Sequence, residues 1–301
     1  MPLDEGESPE VLVGESRIER PEPKPVSVPE RRDGTLLVRL AAGAVYVAVN
    51  VAALVLGKIP TALVMAFTAG VCCWEFFRLM RADAKTPNQI LGIAFAVAMP
   101  LVALTSPVYL VGVVFLMVMV LGMWYVVNQR ARITDVAITA FGAIYTGMTL
   151  SALVSVRCTE RLDPIGAVVL CVGIMMSVWA NDSFAYLVGS KFGRHKMVPK
   201  ISPKKTWEGL AGGIVGSVAI WLVLCAIPST HVDVPVALAC GLACGVTGVV
   251  GDLVESRIKR GAGLKDSGSM IPGHGGLLDR SDSMLFVSIS AYFLLRMMGV
   301  V

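Results

Sequence analysis

"PVYLVGVVFLMVMVLGMWYVV" occupies residues 107–127, a run of 21 positions without a single Asp, Glu, Lys, Arg or His. As a helix it would rise about 30 Å, the thickness of a bilayer's hydrocarbon core. Working outward, similar runs lie at about 36–57, 59–79, 89–104, 135–155, 164–190, 209–227, 235–254 and 284–301. The 301-residue chain is 55% hydrophobic and 16% charged, against roughly 25% charged in soluble domains. These runs predict an all-α, polytopic integral membrane protein of about nine transmembrane helices. The stretch "LTSPVY" (104–109) decides the count. Its polar pair and Pro107 part the third run from the fourth; without that break there are eight spans and the C-terminus changes side.

Loop charge orients the chain. With the N-terminus in the cytosol, the cytosolic segments hold 21 Lys/Arg and the opposite loops hold three, Lys58, Arg157 and Arg161. That asymmetry favours a cytosolic N-terminus and an odd number of spans. The expectation is a multi-pass protein of the plasma (inner) membrane. Its two large polar loops, 191–208 and 255–283, then face the cytosol. Residues 1–35 hold nine acidic and five basic side chains among many Pro, and read as a disordered cytosolic tail without a cleavable signal. The membrane domain is 36–301. The seven Cys lie mostly in apolar runs. Cys240 and Cys244 share a helix face, but no second pair or nearby His completes a zinc site. Glu75, beside Arg78 at i+3, reads first as a local ion pair.

The chemistry gathers in "GDLVESRIKRGAGLKDSGSMIPGHGGLLDRSDS" (251–283). Asp252, Glu255, Ser256 and Lys259 recur at i, i+3, i+4 and i+7, one polar stripe if the eighth helix continues into the cytosol. A Gly-rich stretch follows, with Lys259, Arg260 and Lys265. Free backbone N–H groups and cations together make a phosphate cradle, although no GxxxxGK[ST] occurs. Asp279 and Asp282, three apart, share a helical face. Two such carboxylates with a third from another helix suit Mg²⁺, a hard cation that takes oxygen ligands and leaves positions for water and substrate phosphate. Helix N-terminal charge is the competing role for Asp282. In the earlier loop, "ISPKKTWEG" (201–209) sets two Lys, a Ser and a Thr before the seventh helix. Either its free N–H groups receive an anion, or Ser/Thr caps the helix while Lys and Trp207 mark the interface.

Ser256-x-Ile258-Lys259-Arg260, Lys265-Asp266-x-Gly268 and Ile271-Pro272-x-His274-Gly275-Gly276-Leu277-x-Asp279-Arg280-x-Asp282 resemble the signature of the phosphatidate cytidylyltransferases, or CDP-diacylglycerol synthases. The signature covers 27 residues, and Ser281 departs from it where the family is usually apolar. "NDSFAYLVGSKFGRHKMVPKISPKKTWEGLAGG" (181–213) is similar to the family's other marked region, including Ser202-Pro203-Lys204-Lys205-Thr206-x-Glu208-Gly209. The resemblance covers most of 36–301.

It implies that phosphatidate attacks the α-phosphorus of CTP, releasing pyrophosphate and forming CDP-diacylglycerol. It also implies Mg²⁺, with room for a second ion, a homodimer, and partners limited to CTP, phosphatidate and membrane lipid, with no nucleic acid. Asp252 and Asp279 are the expected metal ligands, with Asp282 supporting them and Lys265 completing the catalytic set. Ser202, Lys204, Lys205, Thr206, Lys259, Arg260 and Arg280 are expected at the substrate phosphates. His274, Gly275 and Gly276 form a turn at the nucleotide, and Asp182 either completes the site or holds a Lys. Two alternatives stay open: a CTP-dependent transferase with another lipid acceptor, and a polytopic transporter.

Overall fold

The computed structural model describes residues 36–268, 270 and 275–301, with side chains from residue 41 onward. The expected tail, 1–35, and His274 lie outside the described residues. Among the described residues a helix stands at each of the nine apolar runs. They are α1 (Leu36–Leu56), α2 (Lys58–Ala82), α3 (Gln89–Val102), α4 (Tyr109–Val127), α5 (Ile133–Arg157), α6 (Pro164–Phe192), α7 (Trp207–Cys225), α8 (Val234–Gly261) and α9 (Leu278–Met297). Six of them, α2 and α4 to α8, are long and apolar enough to cross a bilayer. The described part of α1, Ala41–Leu56, and α3 are shorter apolar helices. In its 20 residues α9 carries four charged side chains, Asp279, Arg280, Asp282 and Arg296.

Local chemistry sets several ends. Asp163 accepts the Gly166 N–H at 2.6 Å and Pro164 opens α6. Asp233 accepts the Val236 N–H at 2.9 Å at the start of α8. Each side chain satisfies an N–H that the first helical turn leaves unpaired.

Two expectations are corrected. The polar loops are shorter than 191–208 and 255–283, because α6 runs on to Phe192, α8 to Gly261, and α9 begins at Leu278. The fold is also not purely helical. β1 (Lys196–Val198) and β2 (Ser202–Thr206) pair antiparallel between α6 and α7, with Lys196 opposite Thr206 and Val198 opposite Ser202.

The helices that carry the site pack backbone to backbone. A Cβ at Gly216 would lie 2.9 Å from the Ala180 carbonyl oxygen, pressing α7 on α6. At Gly241 and Gly245 it would meet the Cα atoms of Val218 and Ile214 at 2.7 and 2.8 Å, pressing α8 on α7. In lipid, where apolar burial hardly distinguishes one helix face from another, this close approach is what holds helices together. Across the bundle, Phe76, Phe141, Tyr145 and Phe286 tie α2, α5 and α9 with ring centroids 5.5–6.1 Å apart. A π-helical segment in α5, Ile144–Met148, carries Gly147 onto the backbone of Ala96 in α3.

Candidate active site

The contact of α8 with α9 creates the centre of the site. A Cβ at Gly251 would sit 2.5 Å from the carbonyl oxygen of Asp282. With no side chain there, the first turns of α9 press directly on α8. The result is a cluster of three carboxylates, Asp252, Glu255 and Asp282, with ligand oxygens all within 4.8 Å of one another. Asp252 accepts the Ser256 hydroxyl at 3.1 Å and meets Lys205 Nζ at 2.7 Å. Asp282 accepts the Ser283 N–H at 2.7 Å. Glu255 is fully buried. Its Oε2 stands 2.5 Å from Lys259 Nζ, an ion-pair contact outside hydrogen-bond geometry, and its Oε1 has no hydrogen-bond partner.

Asp279, expected beside Asp252 as a ligand, stands outside this trio among the described residues. Its Oδ1 receives Lys259 Nζ at 2.8 Å, and its two oxygens receive the Ser267 N–H at 3.2 and 3.0 Å. The Gly276 N–H reaches Oδ2 at 2.8 Å. A carboxylate offers about four lone-pair sites, and these contacts occupy them. Lys259 therefore bridges Glu255 and Asp279 rather than facing open solvent.

Residues 262–277 connect α8 to α9, and among the described ones carboxylates bond Ser267 and Gly276. Beside Asp279, the second holder is Glu75 of α2, which is fully buried. Glu75 Oε2 accepts the Ser267 hydroxyl at 3.1 Å and the Leu278 N–H at 2.8 Å. The local pair with Arg78 is not formed; the Arg78 guanidinium lies over the Trp74 ring, 5.9 Å from its centroid. Gly275 takes φ 92°, a left-handed conformation that suits glycine. Lys265 and Arg260 are exposed, and Arg260 donates to the Leu264 carbonyl at 3.2 Å.

The hairpin builds the opposite wall. Thr206 is buried and its hydroxyl caps α7 by accepting the Gly209 N–H at 3.1 Å, so the capping role is the one the structure assigns it. Glu208 closes the same open end of the hairpin: it accepts the N–H groups of Arg194 and His195 and meets His195 Nδ1 at 2.6 Å. A cavity of about 590 Å³ lies between hairpin and helices, lined among others by Asp182, Ser202, Lys204, Lys205, Thr206 and Asp252. A smaller one of about 200 Å³ is lined by Tyr46, Trp179, Asp182, Asp279, Arg280 and Asp282. Asp182 lines both.

Most of the expected site residues therefore converge on two adjoining cavities that flank one carboxylate cluster. Lys265 and the Gly275–Gly276 turn belong to the connecting loop, and Arg260 to the last turn of α8. The residues not assigned in advance are Glu255 and Glu75. The helical stripe at 252, 255, 256 and 259 already marked the first; nothing in the sequence around Glu75 points to a loop about two hundred positions away.

Residues 37–298 match the model of the cytidylyltransferase family. The chain belongs to that family. It is 32% identical over 269 residues to the phosphatidate cytidylyltransferase of Bacillus subtilis (strain 168), covering 86% of this chain and 97% of the relative. It is 36% identical over 180 residues to the phosphatidate cytidylyltransferase of Staphylococcus epidermidis (strain ATCC 35984), covering 60% and 66%. To phosphatidate cytidylyltransferase 5, chloroplastic, of Arabidopsis thaliana it is 39% identical over 192 residues, covering 56% and 47%. As a cytidylyltransferase the protein is a nucleotidyl-transferring enzyme, and the transporter alternative falls away.

Proposed function

We propose that this cytidylyltransferase joins CTP to phosphatidate at the Asp252–Glu255–Asp282 cluster, giving CDP-diacylglycerol and pyrophosphate. The observation that carries the site is the pair of cavities sharing Asp182 around one carboxylate cluster. The larger, with Ser202, Lys204 and Lys205 on its wall, suits the triphosphate. The smaller, with Arg280, Tyr46 and Trp179, suits a lipid headgroup arriving from the bilayer.

The cluster fits a hard divalent cation. It offers only carboxylate oxygens, from two helices, and one of them, Glu255 Oε1, is buried without a partner. Buried polar atoms rarely stay unpaired. Asp252 and Asp282 would hold Mg²⁺ with Glu255 behind them, while Asp279 holds Lys259 and the connecting loop. When bound, Mg²⁺ supplies Lewis-acid polarisation of a phosphoryl oxygen and a template for the approaching phosphates.

The chain's own residues do the rest. The lipid phosphate is the nucleophile and is ionised at neutral pH, so the reaction needs no general base from the protein. A P–O bond forms between a phosphatidate oxygen and the α-phosphorus as the bond to pyrophosphate breaks. Lys204 and Lys205 offset the repulsion between the two polyanions and the charge that moves to the leaving group. In free enzyme Lys205 is paired with Asp252; the arriving triphosphate offers it a second anionic partner. Lys265, exposed on the loop, and Arg260, exposed in the last turn of α8, add charge on the aqueous side.

The membrane setting belongs to the same proposal. The 21-to-three distribution of Lys/Arg between the two sides supports an odd number of spans, here nine, with a cytosolic N-terminus and a site facing the cytosol. A plasma-membrane location and a homodimer complete the reading.

Asp282→Asn tests it. The change keeps size and removes charge, and CTP turnover should fall by several kcal/mol of barrier, about a hundredfold or more. Wild-type turnover across a Mg²⁺ titration would overturn the metal assignment. Competition between phosphatidate and other lipid phosphates in the same assay fixes the acceptor.

A further inference from the structure

We infer that Glu75, in the apolar body of α2, is a positioning residue for this transferase, because its carboxylate clasps Ser267 of the connecting loop together with Leu278, the first residue of α9, and so sets the first turn of α9 at the site. The inference rests on the proposed function for its consequence, and on geometry alone for its premise.

Glu75 stands in a helix built to cross a membrane, where an ionisable side chain is costly and any satisfactory packing could be had from Leu. It is completely buried, yet its side-chain hydrogen bonds among the described residues go to the loop and the start of α9: the Ser267 hydroxyl at 3.1 Å and the Leu278 N–H at 2.8 Å. Both bonds go to Oε2, and Oε1 has no hydrogen-bond partner. The loop is shaped to admit it. A Cβ on Gly268 or on Gly276 would collide with the Glu75 carboxylate, so both glycines are cut away around one side chain.

What Glu75 holds is connected to the chemistry. Leu278 is the first residue of α9, and its N–H is one of those a helix start leaves free. Ser267, whose hydroxyl donates to Glu75, gives its N–H to Asp279. Asp279 holds Lys259, and Lys259 lies against Glu255 of the cluster. Glu75 thus fixes Ser267 and Leu278 together, and with them the place of Asp279, Lys259 and Asp282.

The role is that of a hydrogen-bond acceptor, which makes it separable from a role in charge or metal binding. In Glu75→Gln one carbonyl oxygen can still receive both donors, with the amide taking the place of the unpartnered oxygen. Glu75→Ala removes the acceptor. The experiment compares these variants in detergent-solubilised full-length protein by two readouts. The first is amide hydrogen exchange without CTP or metal. Glu75→Ala should speed exchange across 267–278 and leave the hairpin at 196–206 unchanged, and Glu75→Gln should restore protection. The second is steady-state kinetics, in which Glu75→Ala should lower kcat/KM about 10–100-fold, the usual cost of losing a group that orients a site. Glu75→Gln should recover most of it.

If Glu75→Gln is as impaired as Glu75→Ala, the charge itself matters and the positioning role is wrong. Unchanged exchange at 267–278 in Glu75→Ala also overturns it. Should Glu75→Ala fail to accumulate in membranes, Ser267→Ala removes one of the two clasped donors. It should show the same exchange signature and a smaller kinetic loss, and wild-type behaviour there defeats the inference. Asp282→Asn, read in parallel for its Mg²⁺ dependence, keeps failure of the metal reading distinct from failure of this one.

Discussion

The two polar connections that wall the site are built in opposite ways. The one from α6 to α7 organises itself: it makes a hairpin, caps the next helix with its own Thr206, and ties its ends through Glu208 and His195, all within 14 residues in sequence. The one from α8 to α9 carries no such ladder among its described residues. Its described residues Ser267 and Gly276 are bonded instead by two carboxylates, Asp279 on the helix it leads into and Glu75 on α2, 192 positions before Ser267. A self-contained loop tolerates changes elsewhere in the bundle. A loop clasped from outside transmits them to the acidic cluster.

This contrast can be broken at graded points. The largest effect belongs to the cluster that the second connection serves, where Asp282→Asn should abolish most turnover. Next is Gly251→Ala. Its methyl group would meet the Asp282 carbonyl at 2.5 Å, so α8 and α9 must part, at a cost of about 1–3 kcal/mol. Turnover should fall together with melting temperature, whereas a variant that melts normally and reacts normally would show that the close approach is not what assembles the cluster.

Lys205→Ala, on the hairpin side, should raise the CTP requirement. Loss of a bond to a charged group costs about 1.5–3 kcal/mol, roughly tenfold to a hundredfold in kcat/KM. A loss confined to the lipid's KM would move Lys205 to the other cavity. The smallest change is Thr206→Ala, where losing a helix cap costs about 1 kcal/mol. It should lower the melting temperature by a few degrees, and Thr206→Ser should restore it. A Thr206→Ser variant that melts like Thr206→Ala would assign the loss to packing of the methyl group.

The helices were legible because lipid imposes a simple rule. Runs such as 107–127 have little to satisfy except their own backbone, and a helix does that alone. The break at "LTSPVY" separates two helices, α3 ending at Val102 and α4 starting at Tyr109, and six of the nine described helices are long and apolar enough to cross a bilayer. The hairpin was not legible. "KMV" and "SPKKT" are short, mostly polar, and without the alternation that marks a strand.

The site was half legible for a related reason. The periodicity of one helix brought Asp252 and Glu255 together, so the stripe could be read even though Glu255 was not given a role. Asp279 and Asp282 share a face, and both line the smaller cavity. Yet only Asp282 reaches the cluster, because the loop draws Asp279 away with backbone N–H groups that the pattern of residue types does not display. Glu75 failed for the opposite cause. Its neighbour Arg78 offered a local partner at helical spacing, and its true partners are set by the packing of α2 against the entry to α9.

One detail of the site has an electrostatic corollary. Asp252, Glu255, Asp279 and Asp282 bring four formal negative charges together, and Lys205 and Lys259 are the cations in salt-bridge contact with them. Ionised, that assembly lacks two positive charges. Under the proposed metal reading, a divalent ion would offset that difference within these six groups, and a monovalent one would offset half of it.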